Sequence, residues 1–183
     1  ADVGIEVYDI FPNLLASAEG VLTKRQKELG VVCIDMGAST TGITVYEEGA
    51  LKFSSVIPIG GDSVTNDIAL GARTSIDVAE KLKINYSQVG LDELEVKPYE
   101  IPLSDISQME EGSINNIYLS QIVTARYEEI FYFINQELKK AGRDGMLPEG
   151  AILVGGAVKQ QGIVDLAKKS LRLTHSWLDR CIN

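Results

Sequence analysis

Asp35-Met36-Gly37-Ala38-Ser39-Thr40-Thr41-Gly42 is a turn of small residues between two apolar stretches, Val31 to Ile34 before it and Ile43 to Tyr46 after it. A carboxylate closes the first stretch. Small side chains let backbone N–H groups close around an anion, the hydroxyls of Ser39, Thr40 and Thr41 add donors, and Asp35 is placed to hold a cation through water. That is an arrangement for phosphate and magnesium. An ordinary hairpin turn also favours Gly and Ser, and it explains this segment taken alone equally well.

Working outward, Leu51 to Ile59 reads as a third strand after Ile43 to Tyr46. Glu47, Glu48, Gly49 and Ala50 form the hairpin turn between them, giving a three-strand meander. Upstream, Ile5 to Phe11 reads as a short strand. Pro12 and Asn13 stand at a helix start, with Leu14, Leu15, Ala18, Val21 and Leu22 at helical spacing and Gly30 as the stop. Downstream, helices are expected from about Ser63 to Leu70 and from about Ser75 to Tyr86, the second opened by Thr74 and Asp77 at capping-box spacing. Residues 88 to 112 carry seven acids against Lys97 and contain Pro98 and Pro102, which reads as short edge strands and loops with a solvated acidic face. Leu119 to Ala141 is the longest helix, with Val123, Tyr127, Ile130, Ile134 and Leu138 on one stripe. Ala151 to Val154 reads as a buried strand, and Gly162 to Leu171 as a closing helix.

Two further segments carry chemistry. Leu153-Val154-Gly155-Gly156-Ala157-Val158-Lys159 runs from a strand through paired glycines towards a helix, which lets a flat ligand lie against the backbone. It is neither a full G-x-G-x-x-G nor a P-loop, and taken alone it reads more simply as a strand-to-helix turn that needs positive φ. Glu80 and Lys83 lie three apart on a helix, where each is placed to bond one sugar hydroxyl; a solvated surface pair has the same spacing.

The whole chain has 183 residues, 45% hydrophobic and 23% charged, which is ordinary for a globular protein of one large domain or two small ones. Seventeen Lys and Arg against 26 Asp and Glu give a net charge of −9, which argues against a nucleic-acid partner. Two cysteines, Cys33 and Cys181, are too few for a disulfide framework, and one His leaves zinc and Ser-His chemistry poorly supplied. Cys33 reads as a small hydrophobe in its strand, and His175 and Trp177 as packing or surface residues. No apolar run approaches the roughly 20 residues of a membrane crossing, so a soluble cytosolic chain is expected. It starts at Ala1 in mid-pattern and ends at Asn183 with no closing element, which reads as a piece of something longer.

Taken in order, Asp35 to Thr40, Glu80 to Lys83 and Gly155 to Ala157 resemble the second phosphate motif, the ribose pair and the adenosine motif of the actin-like ATPase superfamily, with its ribonuclease H-like fold. Pro12 to Ala18 is similar to the connecting helix before that phosphate motif. Within the superfamily the chain resembles the bacterial cell-division family FtsA through Val56-Ile57-Pro58-Ile59-Gly60-Gly61-Asp62-Ser63-Val64-Thr65-Asn66-Asp67-Ile68-Ala69, through Gly71 to Thr74 and Ala79 to Lys83, and through Ala125-Arg126-Tyr127-Glu128-Glu129-Ile130. The resemblance spans nearly the whole chain.

It implies an α/β fold with a mixed sheet flanked by helices. Residues 1–59 and 113–183 would form a nucleotide-binding core like subdomain IIA, and 60–112 an inserted α+β unit like subdomain IIB. It implies ATP held by Asp35, Gly37, Ala38, Ser39, Thr40, Thr41, Glu80, Lys83, Gly155, Gly156, Ala157 and Lys159, with Mg on Asp35 through water. It implies the C-terminal tail of FtsZ as a partner, received near Arg126, besides other divisome proteins and self-association into filaments. Membrane attachment would come through an amphipathic helix outside this chain, at the cytoplasmic face of the inner membrane at the division site. Arg126 also suits a simple helix pair with Glu129.

The sequence departs from the family pattern at Ala38 and Ser39, at Ala157, and at Gly42, where a carboxylate is common. Binding survives these changes more easily than hydrolysis, so at most a slow ATPase is implied. Two other readings remain open here: an actin-fold protein of type IV pilus assembly like PilM, and an actin-fold phosphotransferase or chaperone ATPase.

Overall fold

The computed structural model describes residues 4–90 and 96–171, together with the backbone of 178–179. The meander forms as the apolar runs dictate: β1 (Val31–Met36), β2 (Thr41–Glu47) and β3 (Ala50–Ile57) are antiparallel neighbours, with Asp35 opposite Gly42 and Thr41 opposite Ile57. Glu48 and Gly49, both at positive φ (55° and 73°), make the tight link that matches the twist of its strands. β6 (Ala151–Val154) adds to the other side of β1 in parallel, pairing Asp35 with Val154, and β7 (Leu178–Asp179) follows it, giving the order β3-β2-β1-β6-β7.

β1 is buried on both faces, and for that reason it is a continuous apolar run rather than an alternating one. Val31 and Cys33 pack with Ala18, Val21 and Leu22 of α1 (Asn13–Val21) and its continuation. Val32, Ile34 and Met36 face the larger core beneath α5 (Asn116–Lys140) and α6 (Ile163–Leu171), where Tyr127, Ile130, Phe131 and Ile134 are fully buried. The result is helix, sheet, helix in three layers. α3 (Gly61–Ala72) and α4 (Ile76–Tyr86) extend the same core through Val64, Ile68, Val78 and Leu82. A separate two-stranded sheet joins β4 (Glu100–Pro102) to β5 (Ser113–Asn115), so its pairing reaches across position 112.

Several expectations need correction. Ile5 to Phe11 is irregular and exposed, because no sheet edge receives it. The single helix expected up to Gly30 is two: Thr23 breaks it by capping α2 (Lys24–Leu29), with Thr23 Oγ1 accepting from the Gln26 amide and Gln26 Oε1 accepting from the Thr23 amide. The N-cap of α4 is Ser75, not Thr74, and no side-chain capping bond forms there; the Ser75 amide donates instead to Glu110 at 3.1 Å. After Gly155 the chain makes a short 3-10 turn, Gly156–Lys159, before α6 begins. His175, Trp177 and Cys181 lie outside the described residues.

Candidate functional site

Parallel pairing of β1 with β6 brings two turns to the same end of the sheet: residues 37–40 after β1 and 155–159 after β6. This is where ligands of α/β sheets collect, beyond the carboxyl ends of the strands. The first turn is held by a hydrogen bond from the Gly37 amide to the Thr40 carbonyl at 2.9 Å. It also docks onto the start of α3, because the Gly61 amide donates to the Gly37 carbonyl and the Asp62 amide to the Ala38 carbonyl. Gly60 makes this possible: a Cβ there would lie 2.5 Å from both of those carbonyl oxygens.

The two turns and α4 enclose a cavity of about 740 Å³. Its lining brings Gly37, Ala38, Gly61 and Asp62 together with Glu80 and Lys83 and with Gly156, Ala157 and Lys159. Ser87, Tyr99, Asn116, Ser120 and Gln160 also line it. Three segments far apart in sequence therefore meet around one space, and a Cβ on Gly61 would sit 3.6 Å from Lys83 Nζ and 3.7 Å from Ala157 Cβ. The size lies within the usual range of small-molecule sites.

Glu80 and Lys83 are not a solvated surface pair. They bond at 2.6 Å, with the Lys83 side chain only 12% exposed. Lys83 also donates to Thr65 Oγ1 at 2.7 Å and to the Gly61 carbonyl at 3.2 Å. Tyr127, buried in α5, donates its hydroxyl to the Ala157 carbonyl and so ties the second turn to the helix layer. Burial, with the Glu80 charge adding to it, pushes the Tyr127 phenol well above its ordinary range.

Other expected site residues stand apart from the cavity lining. Thr41 is fully buried and spends its hydroxyl on the Ile59 carbonyl at 2.8 Å, so it fastens β2 to the chain after β3. Ser39 donates to Asp62 at 2.7 Å, and Thr40 is exposed on the turn. Asp35 accepts from Ser17 at 2.6 Å and from Asn13 at 3.5 Å, both on α1, and lies beside Gly155 rather than on the cavity wall. Arg126 is elsewhere, on α5, where it clamps Asp67 of α3 through Nε at 2.5 Å and Nη2 at 2.9 Å and also pairs with Glu129. Those contacts hold its guanidinium even more firmly charged.

Thr65, Asn116, Ser120, Tyr127 and Gln160 were missed as site residues. Thr65 stands in the quoted run before α4, four residues after Gly61, and that spacing was the available signal. Gln160 donates to the Ser87 carbonyl and hydroxyl, and Asn116 accepts from the Tyr99 amide; these links join segments that no local pattern connects.

The chain matches the family model described as cell division protein FtsA over residues 32–179. It is 40% identical over 166 residues to the cell division protein FtsA of Pseudomonas aeruginosa, covering 91% of this chain and 40% of that protein. It is 35% identical over 170 residues to that of Bacillus subtilis, covering 92% and 38%. The chain thus spans about two fifths of the length of the curated relatives it matches. Among solved structures, MreB5 of Spiroplasma citri bound to ADP superposes with a TM-score of 0.69 at 17% identity, covering 91% of this chain and 53% of that one. The PilM-PilN type IV pilus biogenesis complex gives 0.61 at 16%, covering 85% and 37%. Those two likenesses show the actin-like fold that the sheet order and motif turns describe. With the family match covering most of its length, the chain belongs to the cell division protein FtsA family.

Proposed function

We propose that this chain is the nucleotide-binding half of an actin-like division protein that links the FtsZ ring to the inner membrane and recruits further division proteins. The observation that carries the reading is the meeting of three separate motifs around one 740 Å³ cavity. In this reading residues 1–59 and 113–183 act as the nucleotide core and 60–112 as the inserted unit, whose α3 and α4 also reach the cavity and which receives the partner together with the adjoining helix α5.

ATP fits the donor set. The Gly37–Ala38 turn and the start of α3 would receive phosphates, Glu80 and Lys83 the ribose, and Gly155, Gly156, Ala157 and Lys159 the adenosine. Ser39 and Thr40 border the phosphate end, while Thr41 supports the hairpin from behind. Among the described residues no three His, Cys, Asp or Glu side chains gather as a metal cluster. A Mg ion held mainly by waters and phosphates needs only one or two carboxylates, and Asp35 would supply one through water. Bound Mg would neutralise phosphate charge.

Turnover would be slow at most. A Cβ on Gly42 would lie 3.0 Å from Leu14 Cβ, so a carboxylate cannot stand there without moving α1. The nucleotide then acts chiefly as a conformational ligand, and the protein works by assembly at the cytoplasmic membrane face, self-associating as actin-like proteins do. Membrane contact would belong to an amphipathic helix beyond this chain; no helix among the described residues is long and apolar enough to cross a membrane.

Arg126 would receive an acidic residue of the FtsZ C-terminal tail, competing with Asp67 and Glu129. The test is a fluorescence-anisotropy titration of the chain with a labelled FtsZ tail peptide at two salt concentrations. Saturable binding is expected, weakened by Arg126→Ala and retained by Asp67→Asn, which opens the same clamp but keeps the arginine. No binding by the folded chain would contradict the tether. A pilus-assembly role has no observation of its own here beyond the shared fold.

A further inference from the structure

The geometry points to Thr65 as a positioning residue that makes the cavity selective for a ribose with its hydroxyls intact, acting through Glu80. The inference rests on the nucleotide reading above and adds to it which atom reads the sugar and what holds that atom.

Lys83 has three protons, and all three are engaged: by Glu80 Oε2 at 2.6 Å, by Thr65 Oγ1 at 2.7 Å and by the Gly61 carbonyl at 3.2 Å. Its ammonium therefore has none left for a ligand unless an internal bond is given up. Thr65 is 3% exposed and sits on α3 between the two charged side chains. Its hydroxyl accepts from Lys83, and its single proton has two acceptors in reach, Glu80 Oε2 at 2.5 Å and the Gly61 carbonyl at 3.2 Å; the shorter, charge-assisted bond to Glu80 takes it. Glu80 Oε2 is thus fixed by two donors. Among the described residues no hydrogen bond engages Oε1, although the Glu80 side chain lines the cavity and is 43% exposed. The free oxygen is the acceptor for a sugar hydroxyl, and Thr65 and Lys83 fix where it stands.

A site built around a fixed acceptor disfavours an analogue that lacks the donor, because the charge-assisted bond to the sugar is then not made. Without the Thr65 hydroxyl, Glu80 loses one of its two anchors and can turn towards solvent. Sugar selection should then fade while phosphate and base contacts persist.

The experiment uses the full-length division protein carrying this chain and measures affinities for ATP, 2′-deoxy-ATP and 3′-deoxy-ATP. Wild type should prefer ATP over at least one deoxy analogue by about tenfold, the loss expected for one hydrogen bond to a charged group. Thr65→Val, nearly isosteric, and Thr65→Ala should bring that ratio close to one, and Thr65→Ser should restore it. A purely structural role would lower all three affinities together and leave the ratio unchanged, which overturns the inference. So does a Thr65→Ser protein that folds but has lost the preference. Wild type that binds ATP with no sugar preference removes the inference and leaves the nucleotide cavity standing, whereas wild type that binds no ATP removes both.

Discussion

Asp35 and Gly155 stand so close across the join of β1 and β6 that a Cβ on Gly155 would lie 2.7 Å from Asp35 Oδ1 and 2.5 Å from the Met36 carbonyl oxygen. The carboxylate of the first turn and the first glycine of the last are one contact, set by the parallel register that pairs Asp35 with Val154.

The neighbouring glycine is different. Gly155 has φ 96° and no space for a side chain, while a Cβ on Gly156 would meet nothing within 4 Å. Gly155→Ala should therefore cost about 3 kcal/mol of stability through strain and collision. Gly156→Val should change stability by less than about 1 kcal/mol but fill the open wall of the cavity. Thermal melts of the chain, beside ATP titration of the full-length protein, separate the two effects. Equal losses of stability would contradict the geometry.

Arg126 should carry structure whether or not it docks a partner. Its bidentate bond to Asp67 joins α3 to α5 with both side chains 27% exposed, so Arg126→Ala should destabilise by about 1 to 2 kcal/mol. A double-mutant cycle with Asp67→Ala in urea should show that most of this loss is shared by the pair. Additive losses would mean that the clamp contributes little.

Burial raises the Cys33 thiol from 9.0 to about 12, with the Asp35 charge adding to it. The unfolded thiol ionises first, so the unfolded state holds fewer protons than the native one between those values. Stability should therefore fall as pH rises from 9.0 towards 12, whereas below 9.0 the thiol adds no slope. Cys33→Ala should flatten that alkaline decline in chemical denaturation, and an unchanged slope would assign it to other groups such as Tyr46 and Tyr127, whose phenols burial also raises.

Much of this architecture is readable from particular residues. The meander follows from the runs Val31 to Ile34, Ile43 to Tyr46 and Leu51 to Ile59 with the Glu48-Gly49 turn, and the stripe of α5 from the spacing of Val123, Tyr127, Ile130 and Ile134. Thr23 and Gln26 state the helix break in local chemistry, yet the apolar spacing from Leu14 to Leu22 obscured it. Ile5 to Phe11 is rich in strand-forming residues, but strand formation needs a partner edge, which is a tertiary matter. For the site, the glycines and the Glu80–Lys83 pair were legible because backbone approach and charge demand particular residue types. Thr65, Asn116 and Gln160 were not, since each acts by bridging to a segment many residues away.

Whether the three motifs make a nucleotide site is tested most directly by calorimetric titration of the full-length protein with ATP, with and without Mg, comparing wild type with Asp35→Ala. Wild type should bind more tightly with Mg, and the substitution should remove that gain, by on the order of tenfold or more for a lost charge contact. Magnesium-dependent affinity unchanged in Asp35→Ala would contradict the assignment of the phosphate end.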